Sequence, residues 1–306
     1  MFNNTPIKIL ITGGAGFIGS RLAQFYLQAG HAVVVVDNLT RGKRDQLPAG
    51  VVLYDVDICD LSGIREVMWR ERPDILSHHA ALVFVRESQR LPADYSKVNL
   101  DGTCNVLKAA REAGVKKFIF ASSGGAVYGD PPDRPIGEDT PRLPRSPYGE
   151  TKMRAEDALL EAGDGLELVI LRYGNVYGPG QDHSVVTSFA AALRYGKQPM
   201  IFGDGSQSRD YVYITDVTRS NLLALNPGLT GIFNIGSAEE RSVLEVYRSV
   251  AANMHNSIPP VHLPDNSFEV RRNVLDIRRA SSILGWEPEV SFDEGVRLTV
   301  EGVVGG

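Results

Sequence analysis

Tyr148 and Lys152 stand four residues apart in Tyr-Gly-Glu-Thr-Lys, so a helix opening at Tyr148 carries both on one face. A phenol ionises near pH 10 and is a poor base at neutrality. A neighbouring ammonium favours the phenolate and brings that pKa down. Such a tyrosine can draw the proton from an alcohol while a second group accepts the hydride. Ser122 and Ser123, upstream in Ala-Ser-Ser-Gly-Gly-Ala-Val-Tyr-Gly, put hydroxyls into the same stretch. The spacing alone says little; its weight comes from what precedes it.

The hydride acceptor has its own signature. Residues 7–12 form a short β-rich run, followed by Gly13-Gly14-Ala15-Gly16-Phe17-Ile18-Gly19 and a helical pattern to about Ala29. Strand, glycine turn and helix, in that order, are the context a dinucleotide fingerprint requires. Gly13 permits the turn, Gly16 lets the backbone approach a pyrophosphate, and Gly19 lets helix and strand pack closely. The helix N-terminus, with Phe17 and Ile18 in its first turn, offers free N–H groups to the phosphates. Residues 32–36 are continuously apolar, as a strand buried on both faces should be, and end at Asp37-Asn38. An acid about twenty residues past the glycines accepts bonds from the adenosine ribose and repels a 2′-phosphate, which favours NAD over NADP. Arg41, Lys43 and Arg44 read as a solvated loop, although an arginine there could reach a phosphate.

Further strands are read at residues 51–56, 73–76, 115–120 and 166–171, alternating with helices at 61–71, 94–113 and 148–161. That grammar predicts an α/β fold: a doubly wound parallel sheet (Rossmann) with a smaller α+β C-terminal substrate domain. Ligands on such sheets bind outside the carboxyl ends of the strands. Asp37, Asp57, Ala81, Ser123 and Arg172-Tyr173 fall at strand ends and should converge on one crevice. Asp57-Ile58 is placed at the adenine. Ala80-Ala81 lets the backbone run under the cofactor. His78 and His79 point to opposite faces and cannot share a metal, so no metal site is expected.

With 306 residues, 43% hydrophobic and 23% charged, the chain has room for one large domain or two unequal ones. A formal charge of −5 without a basic run excludes nucleic acid and anionic membrane as expected partners. No apolar run suits a membrane span and no signal pattern is seen. The two cysteines, Cys59 and Cys104, make neither a disulfide framework nor a zinc site. A reducing, cytoplasmic setting is expected.

These motifs, with Asn99-Leu100-Asp101-Gly102-Thr103, Arg172-Tyr173-Gly174-Asn175-Val176-Tyr177-Gly178, Gly203-Asp204-Gly205, Arg209-Asp210-Tyr211 and Leu284-Gly285-Trp286, cover nearly the whole chain. Together they resemble the extended short-chain dehydrogenase/reductases, and among those the nucleotide-sugar 4-epimerases of the UDP-glucose/galactose type. The resemblance implies Tyr148 as the base and Lys152 as its tuner and a ribose ligand; Ser123 is the candidate catalytic hydroxyl beside them. It adds Asn99, Ser122 and Tyr173 to the NAD-binding set. It implies a substrate set of Ser123, Tyr148, Asn175, Val185, Phe202, Arg209, Glu269 and Asn273. It divides the chain into an NAD-binding part (1–174 and 211–238) and a nucleotide-sugar part (175–210 and 239–306). A UDP-hexose is the implied substrate and a homodimer, built through the helices at 94–113 and 148–161, the implied assembly.

Departures from the pattern choose among sister reactions. The 4,6-dehydratases carry Asp and Glu three and two residues before their Tyr-Gly pair, and UDP-glucuronate decarboxylases keep the Glu. Here Gly125 and Ala126 stand there and transfer no proton. The Ser or Thr usual four residues before Tyr128 is Gly124, leaving Ser123 or a water to substitute, or the tyrosine to act alone. Asn266 replaces a second diphosphate arginine. Asn273, four past Glu269, is expected to wall the sugar pocket and leave space for an acetamide. Rival readings are an NAD(P)-dependent dehydrogenase or reductase of the same superfamily and a non-catalytic dinucleotide sensor. Cofactor retained through purification separates the epimerase from an exchanging dehydrogenase.

Overall fold

Short β-branched runs separated by glycine turns and amphipathic helices give the chain its first layer of order. The computed structural model describes residues 6–162, 165–265 and 270–305. In chain order they form β1 (Lys8–Thr12), α1 (Phe17–Gln28), β2 (Ala32–Val36), β3 (Val52–Tyr54), α2 (Leu61–Glu71) and β4 (Ile75–His78). Next come α3 (Val85–Arg90), α4 (Pro92–Tyr95), α5 (Gly102–Glu112), β5 (Lys117–Ser123), α6 (Pro147–Glu161) and β6 (Glu167–Tyr173). The remainder is β7 (Asn175–Tyr177), α7 (Val185–Arg194), β8 (Met200–Phe202), β9 (Ser208–Tyr213), α8 (Ile214–Ala224), β10 (Gly231–Ile235), β11 (Glu240–Ser242), α9 (Val243–Asn253), β12 (Val261–Leu263) and α10 (Phe292–Gly305).

Seven strands pair in parallel in the order β10-β6-β5-β4-β1-β2-β3. The order reverses between β1 and β4, and a ligand crevice opens at such a switch point. One apolar cluster fills each face of the sheet: Ile9, Ile11, Val35 and Tyr26 on one, Leu10, Val34, Leu76 and Phe118 on the other. The alternation explains why residues 32–36 read as continuously apolar. The seventh strand, β10, was not foreseen; it returns after α8 to pair with β6.

The helix expected over 94–113 is interrupted. Between α4 and α5, residues Ser96–Asp101 widen into a π-helical segment. Such widenings recur at functional sites; this one sends Asn99, 1% exposed, into the interior. A second body contains the three-stranded sheet β11-β9-β7 and the parallel pair β12-β8, with α7, α9 and α10 enclosing Phe189, Val246 and Val296. Among the described residues no helix is long and apolar enough to cross a membrane.

Candidate active site

Backbone crowding decides where a dinucleotide can lie. Gly13 has φ 68°, and a Cβ there would sit 2.6 Å from Ala80 N. A Cβ on Gly19 would come within 2.2 Å of Gly13 O. Only glycine leaves α1 and the Ala80 backbone this close to the turn. The N-terminus of α1 thereby opens onto a cavity of ≈ 1090 Å³. Gly16, Phe17 and Ile18 line it beside the turn, as do Asn38, Ile58 and Ala81. Asp37 is buried at the end of β2, one oxygen accepting from Ala15 N (3.0 Å) and the other from Leu39 N (2.9 Å). Each oxygen keeps a lone pair for a ribose hydroxyl. Asp57 accepts from Cys59 N (2.7 Å) and Asn38 Nδ2 (2.9 Å); these bonds hold its carboxyl below the usual range despite burial. This glycine cradle, helix end and ribose acid fit NAD. Asn99 is one layer back: it grips Leu82 through N (2.8 Å) and O (2.9 Å) and so positions the wall without facing the cavity.

The expected catalytic pair, Tyr148 and Lys152, comes from α6. Ser146 caps that helix by accepting from Gly149 N (3.1 Å), and Pro147 opens it. A Cβ on Gly149 would meet Ala126 O at 2.6 Å, so glycine lets α6 lie against the segment after β5. Tyr148 and Lys152 consequently face the cavity together, both buried. The expected lowering of the Tyr148 pKa is not what this geometry gives. Burial pushes the phenol up to about 12, and the hydrogen bond with Ser123 works against it. Lys152 Nζ instead donates to Ala121 O (2.8 Å), and burial brings its ammonium down to about 8, with Glu156 pulling upward. Ser123, then, is the hydroxyl that meets Tyr148 in this chain, where Gly124 has none.

Arg172 and Ser122 turn away from the crevice. Arg172 is 2% exposed and bonds Glu156 through Nε (3.0 Å) and Nη2 (2.6 Å), and the Ser122 hydroxyl donates to the same carboxylate. Ser122 still reaches the cavity wall, but its hydroxyl belongs to a structural network. Tyr173 stays in the cleft, stacked on His79 with centroids 6.5 Å apart.

On the substrate side, Asn175, Val185 and Arg209 line the cavity. Phe202 does not; it lies beneath the Arg86 guanidinium, 3.5 Å from its ring centroid, and Arg86 lines the wall. Asn273 is off the wall. It is fully buried and its Nδ2 donates to Gly124 O (3.0 Å), in a segment whose backbone is bonded to the start of β9 (Asn273 N to Ser208 O, 3.2 Å) and to Ile136 (Ile136 N to Val274 O, 2.9 Å). Asn266 and Glu269 lie outside the described residues.

A family model described as the NAD dependent epimerase/dehydratase family matches residues 9–236. The chain belongs to that family. The UDP-glucose 4-epimerase of Mycolicibacterium smegmatis is 38% identical over 309 residues, spanning 96% of this chain and 98% of its own. The UDP-glucose 4-epimerase of Thermotoga maritima, solved with UDP-glucose, is 40% identical with a TM-score of 0.95, covering 98% and 99% of the two chains. The UDP-glucose 4-epimerase of Thermus thermophilus, solved with NAD, has the same identity and TM-score and is matched over 98% and 100%.

For a member of this family, several site residues were invisible beforehand. Arg86 and Phe84 line the cavity, and Tyr95, fully buried, stands edge-on to Tyr148 at 6.4 Å. No motif singles them out, although an aromatic-arginine run just past Ala81 was a signal. Glu156, one turn past Lys152, could have been found by helical spacing.

Proposed function

We propose that this enzyme is a nucleotide-sugar 4-epimerase acting on UDP-hexoses of the glucose and galactose type through a 4-keto intermediate. The carrying observation is that the Tyr148–Ser123 pair and Lys152 line one cavity with the glycine cradle on one side and Asn175 and Arg209 on the other. NAD bound there supplies a reversible hydride acceptor whose positive charge also favours the phenolate. Tyr148 takes the proton of the 4-hydroxyl and later returns it to the ketone oxygen. Ser123 donates to that oxygen while charge moves, and Lys152 stabilises the phenolate. Arg209 and Asn175 hold the diphosphate, fixing the nucleotide while the flat sugar turns. Gly125 and Ala126 carry no acid, so neither elimination nor decarboxylation has a proton carrier at those positions.

The reading includes a homodimer through the α5 and α6 faces, a cytoplasmic setting, and the division of labour between 1–174 with 211–238 and 175–210 with 239–306. The test is Tyr148→Phe assayed for interconversion of UDP-glucose and UDP-galactose. A loss of roughly 10²- to 10⁴-fold with NAD still bound is expected. Turnover within about threefold of the parent would remove the phenol from the mechanism.

A further inference from the structure

Asp37 is not alone in deciding which dinucleotide fits. The chain past it carries Arg41 and Lys43 on the cavity wall, and either cation could welcome a 2′-phosphate. A Cβ on Gly42 would lie 2.9 Å from Asp37 Oδ1, so the backbone at Arg41 passes beside the ribose acid. A guanidinium rooted there could turn back to a phosphate. It is held elsewhere. Arg41 Nη2 bonds Glu87 Oε1 at 2.6 Å, and the guanidinium lies 5.1 Å over the Phe84 ring. Both surfaces are fixed by one buried residue: Tyr95 OH accepts from Phe84 N (3.0 Å), and its single proton lies between two acceptors, Phe84 O (2.8 Å) and Glu87 Oε2 (3.0 Å). Lys43 is paired with Asp182 at 3.1 Å.

We infer that Glu87 is a specificity-determining residue for NAD over NADP, acting by committing the Arg41 guanidinium to α3 and away from the ribose beside Asp37. Charge-assisted pairing to a carboxylate and to a phosphate draws on the same planar fork, so Arg41 serves one or the other. The Arg41 bond also holds the Glu87 carboxyl below its usual pKa, so the anion persists at neutral pH.

The experiment is competition between NADP and NAD for the intact protein, read as the ratio of dissociation constants; no sugar is needed. Glu87→Gln keeps the side chain's size and an acceptor for Tyr95. It should shift the ratio towards NADP on the order of tenfold, the worth of one charge-assisted bond. Arg41→Ala alone should bring no shift towards NADP. The double variant should fall within about twofold of Arg41→Ala. Phe84→Leu, which removes the stacking face and leaves the carboxylate, should shift the ratio the same way by less. An unchanged ratio in Glu87→Gln overturns the inference. So does a gain that survives in the double variant, since it would reflect lost repulsion rather than a released arginine.

Discussion

Glu156→Gln tests the network beneath the active site. Glu156 is 0% exposed and receives Arg172 Nε (3.0 Å), Arg172 Nη2 (2.6 Å), Arg142 Nη1 (3.1 Å) and the Ser122 hydroxyl. Glutamine preserves volume and one acceptor but removes the charge. Arg172 then keeps that one amide oxygen, Tyr128 OH (2.7 Å) and Glu138 O (3.0 Å), all neutral, around a guanidinium that is 2% exposed. Breaking a buried pair from one side costs about 3–5 kcal/mol. Because Arg142 is partly exposed and can rehydrate, the lower end, about 3 kcal/mol, is expected. That corresponds to a melting temperature lower by roughly 6–12 °C. Urea denaturation at constant m-value reads the free energy directly. Replacing both partners, as Glu156→Leu with Arg172→Met, should recover at least half of the loss, since apolar pairs replace buried ion pairs well. A single-variant loss below about 1 kcal/mol, or a double variant no better than the single, would refute the reasoning.

Three further outcomes are expected. Lys152 is charged below its folded-state pKa of about 8 and neutral above it, so kcat/KM should fall as pH rises through 8, and Glu156→Gln should move that limb to lower pH; a profile flat to high pH contradicts this. Gly19→Ala places a methyl 2.2 Å from Gly13 O and should cost about 1–3 kcal/mol and strip NAD from the purified protein; full NAD content and an unchanged melt would contradict it. Asn273→Tyr, at a fully buried position bonded to Gly124 O, should lower melting temperature and impair plain and N-acetylated UDP-sugars alike; selective loss of the acetylated substrate would restore the gate the sequence suggested.

The glycine cradle, Asp37 and the Tyr148–Lys152 pair were legible because each is local: a turn, a strand end, one helical turn. Strand parity was legible too, and explains where the crevice reading went astray. Ser122 pairs with Arg172 and Ser123 with Tyr173 in the β5–β6 register. Successive residues alternate faces, so Ser123 and Tyr173 share the cleft while Ser122 and Arg172 meet Glu156 behind it. Parity likewise sends His78 inward, between Thr12 Oγ1 (2.6 Å) and Thr103 Oγ1 (2.9 Å), and leaves His79 at the cavity. Asn273 and the Arg41–Glu87 pair had no such rule. Their partners lie 149 and 46 residues away along the chain, and only the folded path of loops decides which groups meet. Substitutions at such positions act through neighbours that no motif names. The polarity of Asn273 reads as a ligand in the sequence; in the fold its Nδ2 donates to the backbone of Gly124.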